Sequence, residues 1–277
     1  MSPLLLCTDL DRTLIPNGAE PESPGARERF GRFVSDCGVT LAYVTGRHRA
    51  LVEEAIRDYR LPIPEYIIGD VGTSIYRVRD GAWTRLRDWE EIIGADWDGA
   101  DHAALAALLR DIQALRLQEP EKQGRFKLSY YTPSDLDQKG LLDRVRERLA
   151  PSGVRASLIW SIDEAAGVGL LDVLPEGANK YHAIVFLMGL TGHSELTTLF
   201  AGDSGNDLEV LASPIPAVLV ANGHAAVREE ALRMANACDC TDRLYEAIGG
   251  WDGMNGNYSA GILEGVAHFH PELLPTP

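Results

Sequence analysis

No stretch of this chain approaches the ~18 consecutive apolar residues that a membrane-spanning helix needs, so no membrane association is expected. Positive charge is scarce: 26 Lys and Arg face 41 Asp and Glu, giving a net charge of −15. A phosphate backbone binds to a basic face, so no nucleic-acid partner is expected. A small anionic substrate in a local cationic pocket stays compatible, and the acidic surface is read as solubility. Cysteine is sparse, with only Cys7, Cys37, Cys238 and Cys240. Cys238-Asp239-Cys240 lacks the second cysteine pair of a structural metal site. The four are read as free thiols and the compartment as cytoplasm. The opening apolar run is too short for a signal peptide and has no basic start. Internal repeats and low-complexity tracts are missing too. What remains is an ordinary globular composition, 45% apolar and 24% charged over 277 residues, enough for one large domain or two smaller ones.

The most informative stretch is Leu4-Leu5-Leu6-Cys7-Thr8-Asp9-Leu10-Asp11-Arg12-Thr13. Its apolar half reads as a buried parallel strand. Asp9 and Asp11 then fall at the carboxyl end, where open α/β sheets place their ligands. Two carboxylates this close repel unless a cation lies between them or one holds a proton. A hard divalent cation meets the first need, and a nucleophile beside a general acid meets the second. A solvated turn is the plain alternative.

Downstream, strands and helices alternate. A loop over 14–22 precedes a helix from Ser23 and Pro24 to about Ser35. A strand over 39–44 ends in Thr45-Gly46-Arg47 and leads into a helix through about Tyr59. A third strand spans 66–69, and residues 73–87 read as a hairpin turning at Asp80-Gly81. The β–α order predicts parallel strands with helical crossovers. Residues 88 to about 170 break the pattern: a helix over 101–117, a strand over 125–132, a helix over 136–149 and a strand over 154–160. The first pattern resumes near Leu170 with a short strand, Lys180 opening a helix, and a strand over 197–201 that ends in Gly202-Asp203-Ser204-Gly205-Asn206-Asp207. The predicted organisation is therefore a discontinuous core, 1–87 with 168–277, interrupted by an α+β insert at 88–167.

Four polar groupings each follow a predicted strand or open a helix: Asp9-x-Asp11-x-Thr13, Thr45-Gly46-Arg47, Lys180, and the 202–207 segment. Strands lying side by side would bring them to one edge. Carboxylates, a hydroxyl, an ammonium and helix starts together suit phosphoryl transfer.

In order and context these motifs resemble the haloacid dehalogenase (HAD) superfamily of phosphohydrolases. The resemblance implies an α/β fold: a Rossmann-like core with a central parallel sheet, helices on both faces, and a smaller α+β cap inserted as a substrate-specificity domain. It implies Asp9 as nucleophile and Asp11 as general acid/base, with Thr45 and Lys180 on the phosphoryl group. Asp9, the main-chain carbonyl of Asp11, Asp203 and Asp207 would hold Mg²⁺. Thr13, Gly46, Arg47 and Asn206 are expected around the phosphate. Because the insert lies between Thr45 and Lys180, the chain is similar to the subgroup holding sucrose-phosphate phosphatases, mannosyl-phosphoglycerate phosphatases and phosphomannomutases.

Phe126-Lys127-Leu128-Ser129-Tyr130-Tyr131 and Leu171 to Lys180 are similar to stretches of sucrose-phosphate phosphatases. Lys127, Ser129 and Tyr131 alternate along one strand and are expected to meet the sugar. Trp83, Trp89, Trp97 and Trp160 are read as packing residues rather than sugar platforms. The implied partner is a small sugar phosphate, sucrose 6-phosphate or a related phosphorylated disaccharide. Glycosyl-phosphoglycerate hydrolysis, a phosphomannomutase-type transfer and non-catalytic binding are the alternatives.

Overall fold

The computed structural model describes residues 3–163 and 166–274. Two compact units emerge: Met1–Arg85 with Lys180–Pro277, and Leu86–Asn179.

In the first unit the elements run β1 (Leu5–Thr8), α1 (Ala26–Asp36), β2 (Thr40–Val44), α2 (Arg49–Asp58), β3 (Tyr66–Gly69), β4 (Ser74–Arg79) and β5 (Ala82–Arg85). The second unit holds α3 (Arg87–Gly94), α4 (His102–Leu109), β6 (Arg116–Leu117), β7 (Leu128–Pro133), α5 (Gln138–Leu149), β8 (Ala156–Asp163) and β9 (Val168–Pro175). The first unit then resumes with α6 (Lys180–Thr191), β10 (Thr198–Gly202), α7 (Leu208–Leu211), β11 (Ala217–Leu219), α8 (Ala225–Ala237), β12 (Leu244–Glu246) and α9 (Ser259–Phe269).

The large sheet has the order β12-β11-β10-β1-β2-β3-β4-β5. Its strands are parallel from β12 to β3, and the β4–β5 hairpin adds an antiparallel edge. The hairpin turns where expected, at Asp80 (φ 50°) and Gly81 (φ 76°), both left-handed as a tight turn of matching twist requires. The apolar strands are buried on both faces. Leu4, Leu6, Leu41, Tyr43, Leu199 and Val218 share a core with Phe30 and Phe33 of α1, Val52 of α2 and Ile262, Leu263 and Val266 of α9. The intervening residues Leu5, Cys7, Ala42, Phe200 and Leu219 are equally buried, and α6 and α7 pack onto the sheet at β3 and at β10 and β11. Each fully buried aliphatic side chain contributes roughly 1.5–3 kcal/mol by leaving water, so this two-sided burial makes β1 the rigid centre of the unit.

The second unit carries a four-stranded antiparallel sheet of order β6-β7-β9-β8. Here the expectations need correction. The strand near Leu171, expected in the core, lies in this small sheet, because the adjacent β8 captures it as a hairpin partner. The helix expected over 101–117 stops at Leu109, and Arg116 and Leu117 pair with Tyr131 and Tyr130 instead. Alanine and leucine give helical propensity, but strand pairing overrides it here. Likewise the helix expected from Ser23 starts only at Ala26, after Gly25, and the Ser23 hydroxyl accepts from the Asn255 N–H at 2.9 Å. Among the described residues no helix is long and apolar enough to cross a membrane. Trp89 and Trp97 are buried packing residues, as expected.

Candidate active site

Because β1 lies between β2 and β10 with all three parallel, their carboxyl ends share one edge. The Asp9 N–H extends the β10 pairing, donating to the Ala201 carbonyl at 2.9 Å, which fixes Asp9 at that edge. Thr45 follows β2, Asp203 follows β10, and Lys180 opens α6. The four separate motifs thus meet in the first unit.

At the centre, carboxylate oxygens of Asp9, Asp203 and Asp207 lie within 4.8 Å of one another, all buried. Lys180, itself 2% exposed, places Nζ 3.3 Å from Asp9 Oδ1 and 2.7 Å from Asp207 Oδ1. It also donates to Asn206 Oδ1 at 2.9 Å. Asp207 organises the loop after β10: its Oδ2 accepts from the N–H groups of Asp203 and Ser204, both at 3.0 Å. This closeness demands glycine at 202, where a Cβ would lie 2.6 Å from the Asp207 carboxyl carbon. Thr13 donates to Asp203 Oδ1 at 3.0 Å, and Arg12 Nε lies 3.3 Å from Asp203 Oδ2.

Negative charge is in excess here, and the titration behaviour reflects it. Burial drives the Asp9 carboxyl upward; Lys180 pulls it back, while Asp207 and Asp203 push it further up. Asp203 is raised to about 6 by burial and by Asp207, against the hydrogen bond from Thr13 and the charge of Arg12. Burial alone would lower Lys180, but Asp207 and Asp9 overrule it and raise it. A buried, all-oxygen cluster with surplus negative charge has the donor chemistry of a hard divalent cation site.

Asp11 behaves differently. Its carboxylate is forked by Arg47, with Nε 2.8 Å from Oδ2 and Nη2 2.6 Å from Oδ1, and Asn17 adds a hydrogen bond to Oδ1 at 2.7 Å. Burial pushes Asp11 up, but these donors more than offset it and hold the carboxyl below its ordinary range. The structure thus commits Arg47, expected on phosphate, to Asp11. Thr45 is fully buried, and its hydroxyl accepts from the Arg47 N–H at 3.2 Å, with Gly46 between them.

Sequence reasoning missed Asn17, Arg12, Ser204 and Asn222. Arg12 takes a left-handed φ of 59°, and Asn222 Nδ2 donates to its carbonyl at 2.5 Å. The sequence signal for Asn17 was only a polar side chain in the Pro/Gly loop after Asp11.

In the second unit, Ser129 and Tyr131 lie on one face of β7, and Lys127 immediately precedes the strand. Lys127 Nζ is 3.7 Å from Asp172 Oδ2, and the Ser129 hydroxyl also bonds to Asp172. Ser129, expected to meet the sugar, is 1% exposed, and its hydroxyl is held by Asp172 across the strand pair. The Tyr131 hydroxyl donates to Glu119 at 2.8 Å and accepts from Lys122 Nζ at 2.9 Å, and Arg116 sits over its ring at 4.5 Å.

A doubly wound parallel sheet with a buried aspartate after its central strand, an ammonium and a carboxylate cluster at its carboxyl edge is the arrangement of the haloacid dehalogenase-type phosphatases. Residues 2–270 match the family of sucrose-6F-phosphate phosphohydrolase, and the chain belongs to that family. It is 55% identical over 269 residues to a Nitrosococcus oceani protein named no more closely than a HAD-like hydrolase, covering 97% of this chain and 72% of that one. Sucrose-phosphatase 1 of Nicotiana tabacum is 28% identical over 275 residues, covering 96% of this chain; the chain spans 59% of the tobacco protein's length. The structure of the Synechocystis sucrose-phosphatase in complex with sucrose and phosphate superposes with a TM-score of 0.75 at 26% identity, covering 97% of this chain and 98% of that one.

Proposed function

We propose that this chain is a Mg²⁺-dependent cytoplasmic phosphatase that hydrolyses a phosphorylated disaccharide, sucrose 6-phosphate first among them, through an aspartyl-phosphate. The observation that carries this reading is Asp9: a carboxylate at the end of the central strand, buried beside Lys180 and two further carboxylates. A carboxylate placed so can attack phosphorus. The names of the tobacco and Synechocystis relatives, and the sucrose and phosphate in the Synechocystis structure, support the sugar class.

Asp9, Asp203 and Asp207, with the main-chain carbonyl of Asp11, would hold the metal. When bound, Mg²⁺ supplies charge stabilisation to the phosphoryl oxygens and offsets the repulsion among the carboxylates. Lys180 adds its ammonium, and the Thr45 hydroxyl, the Gly46 N–H, Thr13 and Asn206 orient the phosphoryl group. Asp9 bonds to phosphorus while the bond to the sugar oxygen breaks, and Asp11 delivers a proton to that oxygen. Asp11 then takes a proton from water, whose oxygen bonds to phosphorus as Asp9 leaves. The acid half requires the Arg47 grip on Asp11 to loosen, since those donors favour the ionised carboxylate. Lys127 and Tyr131 of the insert are assigned the reading of the sugar.

A phosphate-release screen over phosphorylated mono- and disaccharides with Mg²⁺ tests this reading. Preferential release from sucrose 6-phosphate or a close disaccharide phosphate is the expected result. Preference for aryl phosphates over every sugar phosphate would overturn the substrate class, and sugar-isomer formation without phosphate release would overturn the hydrolysis.

A further inference from the structure

The two oxygens of the Asp11 carboxylate are not equivalent. Oδ1 receives two donors, Arg47 Nη2 at 2.6 Å and Asn17 Nδ2 at 2.7 Å. Oδ2 receives only Arg47 Nε, at 2.8 Å, among the hydrogen bonds of the described residues. A carboxylate oxygen accepts about two hydrogen bonds. Oδ1 is therefore filled and Oδ2 keeps one open position.

Asn17 creates the asymmetry, and its orientation is fixed. Its own amide oxygen accepts from the Arg12 N–H at 2.8 Å, so the nitrogen is the end left for Asp11. Reversing the amide would set an oxygen against the carboxylate and lose both bonds. The loop that carries Asn17 is anchored at its far end. Asn255 and Asn257 both donate to the Pro21 carbonyl, at 2.8 and 3.0 Å, and the Tyr258 hydroxyl donates to the Glu20 carbonyl at 3.0 Å. The Asn17 N–H donates to Ile15 at 2.9 Å. Asn17, itself exposed, is thus held through both ends of its amide on a braced loop, beside an Asp11 side chain that is 39% exposed.

We infer that Asn17 is a positioning residue for the proton-transfer step: it occupies Oδ1 of Asp11, and still does when the Arg47 fork loosens, leaving Oδ2 as the oxygen that gives a proton to the sugar oxygen and later takes one from water. This rests on the proposed acid/base role of Asp11.

The test compares kcat/KM for sucrose 6-phosphate and for p-nitrophenyl phosphate in Asn17→Ala, Asn17→Asp and, as a control, Asp11→Asn. This constant covers the steps up to departure of the leaving group, so the shared hydrolysis of the aspartyl-phosphate drops out. A sugar alkoxide needs a proton to leave; a nitrophenolate does not. Misplacing the donor should lower kcat/KM for sucrose 6-phosphate roughly 10- to 100-fold more than for p-nitrophenyl phosphate, and retained aryl-phosphate activity shows that the variant is folded. Asn17→Asp keeps the acceptor for the Arg12 N–H but turns a second carboxylate on Asp11, so it should lose at least as much as Asn17→Ala. If Asn17→Asp restores sucrose 6-phosphate turnover, Asn17 merely anchors the loop and the inference is wrong. It is equally wrong if both substrates suffer alike. If Asp11→Asn itself shows no leaving-group preference, the acid/base role of Asp11 fails and takes the inference with it. Selectivity in Asp11→Asn without selectivity in the Asn17 variants removes Asn17 alone.

Discussion

The two units of this chain handle charge in opposite ways. In the first, carboxylates of Asp9, Asp203 and Asp207 are buried together around the Lys180 ammonium, and negative charge stays in surplus. In the second, polar side chains are partnered in place: Lys127 by Asp172 and Tyr131 between Glu119 and Lys122 at β7, and Arg155 by Asp96 before β8. Burying unbalanced charge costs stability that folding alone does not return, so it survives where a ligand or a reaction uses it. Balanced pairs cost little and can exchange partners with an arriving hydroxyl. Under the proposed function, the contrast is the one expected between a unit that does the chemistry and one that reads the sugar.

The strongest challenge to that division is Asp9→Asn. The amide cannot form the aspartyl-phosphate, so kcat should fall by about 10⁴-fold or more on every substrate, while the melting curve stays cooperative. Turnover within about tenfold of wild type would remove Asp9 from the chemistry. Asp203→Ala should come next, with a loss of roughly 10²-fold or more together with weakened Mg²⁺ binding by calorimetry. Chelation of the wild type should act the same way and reverse on adding metal, and full activity in excess chelator would exclude a metal role.

Lys127→Ala tests the other unit. It should lower kcat/KM for the best sugar phosphate by about tenfold while sparing p-nitrophenyl phosphate. Equal losses would mean that this residue does not read the sugar. A simple alkyl phosphate separates this variant from Asn17→Ala: it needs a proton for its leaving group but offers no sugar to read.

The smallest effect concerns pH. In the folded chain Asp203 titrates near 6 against an ordinary 3.8, so between those values the folded state holds the extra proton. Its contribution to stability is therefore present below about pH 4 and lost as pH rises through about 6. In chelator, the melting temperature should fall by a few degrees over that interval, and Asp203→Asn should flatten the slope. An equal slope in Asp203→Asn would assign the effect elsewhere.

Much of the first unit was legible because its signals are local. An apolar run closed by Asp9 and Asp11, a strand closed by Thr45, and glycine at 202 before Asp203 each tie chemistry to a strand end. Parallel pairing then forces convergence. The insert was less legible for a physical reason. The run Val168–Pro175 is apolar enough for either sheet, and only its hairpin with β8 decides. Arg116 and Leu117 followed a helical composition into a strand for the same cause. Ser129 looked available because alternation gives a side chain's face but not what its neighbouring strand seals against it. Asn17 and Arg12 carry no motif at all, and their roles arise from a loop closing back on β1.

Rapid quenching tests most directly whether the surplus charge around Asp9 serves covalent phosphoryl transfer. Wild-type protein, Asp11→Asn and Asp9→Asn would be mixed with p-nitrophenyl phosphate, whose leaving group needs no proton from Asp11, and Mg²⁺, stopped in acid, digested and examined by mass spectrometry. One phosphoryl group on the peptide containing Asp9, accumulating further in Asp11→Asn and missing in Asp9→Asn, is the predicted result. Phosphate release at full rate with no phosphoryl group on that peptide at any time, in wild type or Asp11→Asn, would contradict it.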